Sequence, residues 1–296
     1  MSILCIYHGN CADGFTAAWV VRNVFGDKVE FHAGVHQNRP PDVAGRHVLI
    51  VDFSYKRHVL AEMAQSAASI VILDHHKSAR NDLIGLDQPV AFDRWRDDKY
   101  AVIGALHALF DMDRSGAQIA WDYFHPGDPR PDLVNYVGDR DLWRFEKPMS
   151  REVNAYIFAH EYGFDNWDNL HALLSGDKGV RHVGNLGNAI EKKHHKDVAE
   201  LVGVLQRRVN IGGHDVPVAN LPYTLTSDAG HRMAQGEPFA ACYWDTPEGR
   251  VFSLRSSANG LDVSAIAADY GGGGHDNAAG FRMPIGWEGD VSTTAP

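Results

Sequence analysis

The sequence predicts an α/β protein: an N-terminal parallel-sheet domain with helices on both faces, joined by a long helix to a smaller mixed-sheet α/β domain. Three observations carry this. Short apolar runs alternate with longer amphipathic segments through the first half, the pattern of a parallel sheet covered on both sides. A long charged segment follows at Asn185–Val209, and beyond it strand-like and helix-like segments begin afresh. At 296 residues the chain also exceeds the usual size of one hydrophobic core.

Taken in order, Ile3–Tyr7, Val29–Ala33, Val48–Phe53 and Ser69–Leu73 are apolar runs of strand length, with helices at Gly14–Phe25 and Lys56–Gln65 between some of them. Val90–Phe92 fits a strand, and Ala101–Phe110 fits either a helix or a strand. Ser115-Gly116-Ala117-Gln118 is a capping box that opens a helix through Ala120, Trp121 and Phe124, and Pro126 and Gly127 stop it. Helices follow at Pro131–Trp143, Arg151–His160 and Asp165–Leu174. Asn185–Val209 reads as the connecting helix, with Lys192, Lys193, His194, His195 and Lys196 interrupting its apolar face. The second domain has strands at Val216–Leu221, Phe239–Trp244 and Arg250–Leu254, helices at Ser227–Ala234 and Val263–Asp269, and then a glycine run. The tail after Pro284 is expected to be loosely held. The domain boundaries are set at 1–184, 185–209 and 210–296.

Composition narrows the function classes. The 28 Lys and Arg against 38 Asp and Glu give a net charge of −10, which argues against long-duplex nucleic acid as a partner, because such proteins carry a basic excess or stripe. Small phosphorylated substrates stay compatible, since bound cations supply positive charge locally. Cys5, Cys11 and Cys242 stand at no metal-finger spacing and fit a reduced, intracellular protein. The apolar start Ile3–Tyr7 is too short for a signal peptide, and no later stretch is long enough to span a membrane. A cytoplasmic location and no membrane partner are the expectation.

Chemistry emerges when the predicted strand ends are set side by side. The first run ends in Tyr7-His8-Gly9-Asn10-Cys11-Ala12-Asp13-Gly14, the third in Val51-Asp52, and the fourth in Leu73-Asp74-His75-His76. In an open parallel sheet, residues past the carboxyl ends of neighbouring strands face one crevice. A further pair, Asp139 and Asp141, is embedded among apolar residues in Val137-Gly138-Asp139-Arg140-Asp141-Leu142-Trp143. Singly, an Asp after a strand is more often a turn or helix cap, and a lone His is usually just hydrogen-bonded. Together, uncompensated carboxylates in one crevice repel, and divalent cations resolve that repulsion. Carboxylates with imidazoles and no thiolate cluster favour manganese or magnesium, with iron or zinc also open.

The order His8…Asp13-Gly14, Val51-Asp52, Leu73-Asp74-His75-His76, Gly138-Asp139-Arg140-Asp141 resembles the successive motifs of the DHH phosphoesterase superfamily. Its members include RecJ-type exonucleases, oligoribonucleases, cyclic-dinucleotide phosphodiesterases, exopolyphosphatases and inorganic pyrophosphatases. The segments Ser253-Leu254-Arg255-Ser256-Ser257 and Gly271-Gly272-Gly273-Gly274-His275-Asp276-Asn277-Ala278-Ala279-Gly280-Phe281 are similar to the substrate-binding domain of the nucleic-acid branch. By that resemblance, His8, Asp13, Asp52, His75 and Asp139 are ligands of a two-metal cluster, bridged by Asp52. Asp74 orients an imidazole or ligates through water, and His76 contacts the phosphate or leaving group; Asp74, His75 and His76 are then the catalytic triplet. Asp141 is the competing ligand to Asp139. One departure stands out: Cys11 occupies the place of an acidic residue that family members commonly carry.

The glycine run has two readings. Four consecutive glycines are most often a flexible loop; alternatively Gly273 and Gly274 bring backbone N–H groups to a phosphate, with Arg255, His275 and Asn277 as its further ligands. The resemblance implies hydrolysis of phosphodiester bonds in short oligonucleotides by a two-metal activated water, with manganese as cofactor and magnesium or another divalent cation as substitute. It places the active site in a cleft between the two domains. The alternatives are another small phosphorylated substrate (phosphoadenosine phosphate, a cyclic dinucleotide, polyphosphate) or a catalytically weak nucleotide-binding sensor. The oligomeric state is open, with a homodimer one candidate.

Overall fold

The computed structural model describes residues 2–89, 92 and 105–290. The chain divides into two compact units, Met1–Glu191 and Lys192–Pro296. In the first, strands β1 (Ile3–His8), β2 (Val29–Gly34), β3 (His47–Val51), β4 (Ser69–Asp74) and β5 (Ala105–Phe110) form a sheet in the order β2-β1-β3-β4-β5, with every pairing parallel. All four expected strands are present, and Ala101–Phe110 is a strand over its described part. Residues 90, 91 and 101–104 lie outside the described residues, so the candidate strand at Val90–Phe92 is not addressed. The chain moves from β1 to one side and returns to β3 on the other, which makes the β1/β3 boundary the topological switch point.

The helices of this unit are α1 (Ala12–Phe25), α2 (Arg57–Ala64), α3 (Lys77–Asp82), α4 (Gly116–Phe124), α5 (Asp132–Asp141), α6 (Ser150–Ile157) and α7 (Phe164–Leu173). Side chains alternate across a strand, so each strand feeds two cores. Ile3, Cys5, Leu49, Val51, Val71 and Leu73 enter one, with Trp19 of α1, Ile119 of α4 and Trp167 of α7. Leu4, Ile6, Val48, Ile50, Ile70 and Ile72 enter the other, with Leu60 and Met63 of α2. The sheet is thus covered on both faces, as its near-continuous apolar strands require. The capping box is present: Ser115 Oγ accepts from Gln118 N at 3.4 Å while Gln118 Oε1 accepts from Ser115 N at 3.2 Å.

The long helix α8 runs Gly176–Leu205, starting well before the expected Asn185 and stopping short of Val209. Its early start was masked by glycine, a poor helix former. A Cβ on Gly179 would strike the Leu173 carbonyl, one on Gly187 the Glu152 carbonyl, and one on Gly184 would lie 2.7 Å from Met149 Cε. Gly179 and Gly187 are therefore in the helix because neighbouring backbone leaves no room for a side chain, and at Gly184 the Met149 side chain fills the space.

In the second unit, β6 (Arg207–Ile211), β7 (His214–Asn220), β8 (Ala240–Thr246), β9 (Gly249–Arg255), β10 (Gly273–His275) and β11 (Ala278–Met283) form a sheet in the order β10-β11-β9-β8-β7-β6. Only β7 and β8 pair in parallel. Helix α9 (Thr226–Met233) covers one face with Ala229 and Met233, and α10 (Val263–Asp269) the other with Val263 and Ala267. Three expectations are corrected here. Residues 207–209 belong to β6 rather than the helix, because Gly212 and Gly213, at φ 58° and 77°, close a two-residue hairpin that pairs Ile211 with His214. The glycine run is not a loop throughout: Gly273–His275 is an edge strand, and a Cβ on Gly274 would lie 2.5 Å from the Ala278 carbonyl. The tail is pinned as far as Asp290, whose Oδ2 accepts from Tyr270 Oη at 2.6 Å and from Gly212 N at 2.8 Å, while Trp287 packs edge-on against Phe252. No helix among the described residues is long and apolar enough to cross a membrane.

The flanks of α4 are tied by Asp122, which accepts from Arg130 Nε at 2.7 Å and Arg114 Nη1 at 2.7 Å. Burial works to raise its carboxyl, but the two guanidinium groups outweigh it and hold the pKa below the usual range. A depressed folded pKa gives stability that is full above the unfolded value of about 3.9 and is lost as pH falls through the folded one. Asp122→Asn is expected to cost about 1 kcal/mol at pH 7. In urea titrations the gap from wild type should narrow as pH falls from the unfolded value through the lower folded one.

Candidate metal centre

The carboxyl ends of β1, β3 and β4 bring His8, Asp52 and Asp74-His75-His76 together at the switch point. Asp52 follows β3 in left-handed backbone, at φ 53°, with its N–H bonded to the Leu73 carbonyl at 2.9 Å. Such a conformation is uncommon outside glycine, although aspartate tolerates it better than most residues. His75 Nε2 lies 3.0 Å from Asp52 Oδ1, 3.4 Å from Asp141 Oδ2 and 3.9 Å from Asp13 Oδ2. His8 Nδ1 lies 3.4 Å from Asp52 Oδ2. Yet neither Asp52 oxygen nor His8 Nδ1 has an aligned hydrogen bond among the described residues.

Two ligand groups are made wholly of first-unit residues, His8/Asp52/His76 and Asp13/Asp52/His75, and within each the ligand atoms lie within 4.8 Å of one another. Asp52 is common to both. Buried carboxylate oxygens that converge with imidazoles fit a pair of divalent cations, and the oxygen–nitrogen donor set suits manganese or magnesium. Asp74 plays a different part. Its Oδ1 accepts from His76 Nδ1 at 2.7 Å, His75 N at 2.8 Å and His76 N at 3.3 Å, so it fixes the two histidines.

Helix α4 completes the support. Ala117 N, in its first turn, lies 3.2 and 3.3 Å from the two oxygens of Asp13. Gly116 lies so close to Asp52 that an added Cβ would collide with the Asp52 Cβ, and one on Gly14 would collide with the His8 carbonyl. A Cβ on Gly138, in α5, would lie 2.9 Å from Ser115 Oγ, which keeps the capping box close to α5. The capping box located the start of α4 in the sequence, but nothing there indicated that this turn would face the strand ends.

Asp139 does not join the cluster. Its carboxylate accepts from Glu146 N at 3.1 Å, Lys147 N at 3.3 Å and Ser150 Oγ at 2.5 Å, shaping the turn between α5 and α6. Asp141 is the residue that faces His75. The two stand on opposite sides of Arg140 near the end of α5, and only the backbone turn decides which carboxylate points to the strand ends.

Titration follows the geometry. Burial opposes charge on Asp52, but His75 and His8 beside it hold its carboxyl well below the usual range. Asp13 is pushed well above by burial and by the charges of Asp52 and Asp141, and Asp141 is raised by burial. Burial disfavours charge on His76, yet Asp74 lifts it to about 9, and His75 is raised by Asp52 and Asp141. Burial, with Asp52, Asp141 and Asp13 nearby, pushes the Cys11 thiol well up.

The other expected residues lie in the second unit. Arg255 donates to Ser253 Oγ at 2.9 Å, the Leu254 carbonyl at 2.8 Å and Ser227 Oγ at 2.9 Å. Asn277 Nδ2 donates to Ser256 Oγ at 2.8 Å and the Ser257 carbonyl at 2.7 Å, so its amide holds a loop. Gly273, Gly274 and His275 form β10, adjacent to Asn277 along the chain.

No family model matches the chain. An uncharacterised protein of Acanthamoeba polyphaga mimivirus is 28% identical over 299 residues, covering 94% of this chain. The chain spans 66% of the length of that relative. Among solved structures, a DHH domain described as a member of the s1p family of ribosomal proteins matches with a TM-score of 0.58 at 14% identity, over 95% of this chain and 82% of that one. RecJ of Thermus thermophilus, solved in complex with Mn2+, matches with a TM-score of 0.50 at 14% identity, over 95% of this chain and 49% of that one. The chain shares the fold of these two structures.

Gly116→Ala is expected to displace Asp52 and weaken Mn2+ binding by about tenfold or more in calorimetric titration, with the circular dichroism of the folded protein retained. Asp141→Asn should weaken Mn2+ about 10–100-fold. Asp139→Asn should instead leave Mn2+ affinity near wild type and lower stability by about 1–3 kcal/mol in urea, through its buried hydrogen bonds.

Proposed function

We propose that the chain is a divalent-metal-dependent phosphoesterase that hydrolyses phosphodiester bonds of short oligonucleotides, with manganese as the working cation. The observation that carries this reading is the pair of ligand groups sharing Asp52 at the sheet's switch point. His8 and His76 on one side, and Asp13 and His75 on the other, hold the cations, with Asp141 adjacent in place of Asp139. Cations so held supply Lewis acidity and lower the pKa of a water to neutral range. Asp74 keeps both histidines in one orientation, and Ala117 N keeps Asp13 in place. No protein nucleophile is needed.

The substrate assignment has separate support. A net charge of −10 suits a small substrate better than a long strand, whose affinity comes chiefly from phosphate neutralisation. The manganese-bound RecJ supports the cation, and Arg255 with the N–H groups of Gly273 and Gly274 and the His275 ring offers phosphate-binding chemistry in the second unit. Cys11 favours one second reading, a weakly catalytic nucleotide sensor, because a neutral thiol adds no charge to hold a cation.

The test is a panel of defined oligonucleotides, a cyclic dinucleotide, phosphoadenosine phosphate and polyphosphate, offered to protein stripped of metal and resupplied with Mn2+. Mononucleotide release from a dinucleotide or pentanucleotide is expected, and its loss in folded Asp74→Ala and His75→Ala proteins. Release from none of the oligonucleotides would end the leading assignment. Nucleotide binding without turnover would instead favour the sensor.

A further inference from the structure

We propose that His36 is a substrate-contacting residue of this centre, donating a ring N–H to a phosphate oxygen of the substrate; the inference rests on the phosphoesterase reading. His36 follows β2, which pairs with β1, and the Gly34 carbonyl accepts from Gly9 N at 2.8 Å, so the turn carrying His36 is pinned to the turn carrying the first motif. Its ring centroid lies 4.7 Å from Phe53, 5.2 Å from His8 and 6.1 Å from His76, while His8 and His76 are 5.5 Å apart. Three imidazoles therefore form a triangle. Two of them belong to one ligand group with Asp52, and the third belongs to neither group.

The residue is exposed even though its ring packs on Phe53, which leaves a route for a substrate to reach it. An imidazole carries a ring N–H in either protonation state, which is what a phosphate oxygen at the cluster's edge accepts. The plain alternative is a packing role on Phe53.

Calorimetric binding of adenosine monophosphate to the Mn2+-loaded full chain separates the two. His36→Phe keeps the ring and removes the donor, whereas His36→Gln keeps a donor and loses the ring. A loss of about tenfold in nucleotide affinity is expected for His36→Phe, with His36→Gln much closer to wild type and Mn2+ stoichiometry the same in all three. Equal affinity in wild type and His36→Phe would overturn the proposal, as would loss of a Mn2+ equivalent in His36→Phe. Wild type that binds the nucleotide and hydrolyses no panel member would overturn the phosphoesterase reading while leaving His36 its contact. No binding by wild type would overturn the His36 contact, while the phosphoesterase reading stands or falls on hydrolysis of the panel.

Discussion

The carboxylate of Asp52 is 1% exposed, and keeping such a group charged costs several kcal/mol unless its surroundings compensate. The packing at the strand ends is organised around that need. Imidazoles approach it from β1 and from the segment after β4, and left-handed backbone turns its side chain between them. Gly116 is what lets α4 close over it. The same helix then points the N–H of Ala117 at Asp13. A single charged group thus accounts for the glycine that opens α4 and for the approach of the imidazoles around it.

Much of this was legible before any coordinates. The four strands were readable because they are buried on both sides, and a strand with two cores leaves an apolar run that no helix period explains. The strand-end chemistry followed from topology alone, since parallel strands must deliver their carboxyl ends to one edge. What the sequence hid was orientation. Asp139 and Asp141 are two residues apart at the end of one helix, and a spacing of two says nothing about which carboxylate a closing turn will capture. His36 was hidden for another reason: it sits beyond a strand whose end carries no motif, and only sheet order brings β2 beside β1.

The second unit teaches the opposite lesson about glycine. Gly212-Gly213 is a two-residue hairpin signal that was overlooked in favour of the charged helix before it. The run ending at Gly274 invited a ligand, yet the crowding of β10 on β11 already requires glycine there. A phosphate role for that strand must therefore coexist with a packing role, and the hydrogen bonds of Asn277 to Ser256 and Ser257 show how much of the surrounding segment is committed to holding its own shape.

Helix α8 behaves thermodynamically as two helices in one. Its first half contains Gly179, Gly184 and Gly187, each costing roughly 1 kcal/mol of helix propensity relative to alanine, a deficit that local interactions of a few tenths cannot offset. That half exists because α6 and the end of α7 are already there to receive its bare backbone. Its second half has Val198 and Val202 to bury and only Gly203 against it. The glycine half is thus helical on account of what it packs against, and the second half on account of what it buries.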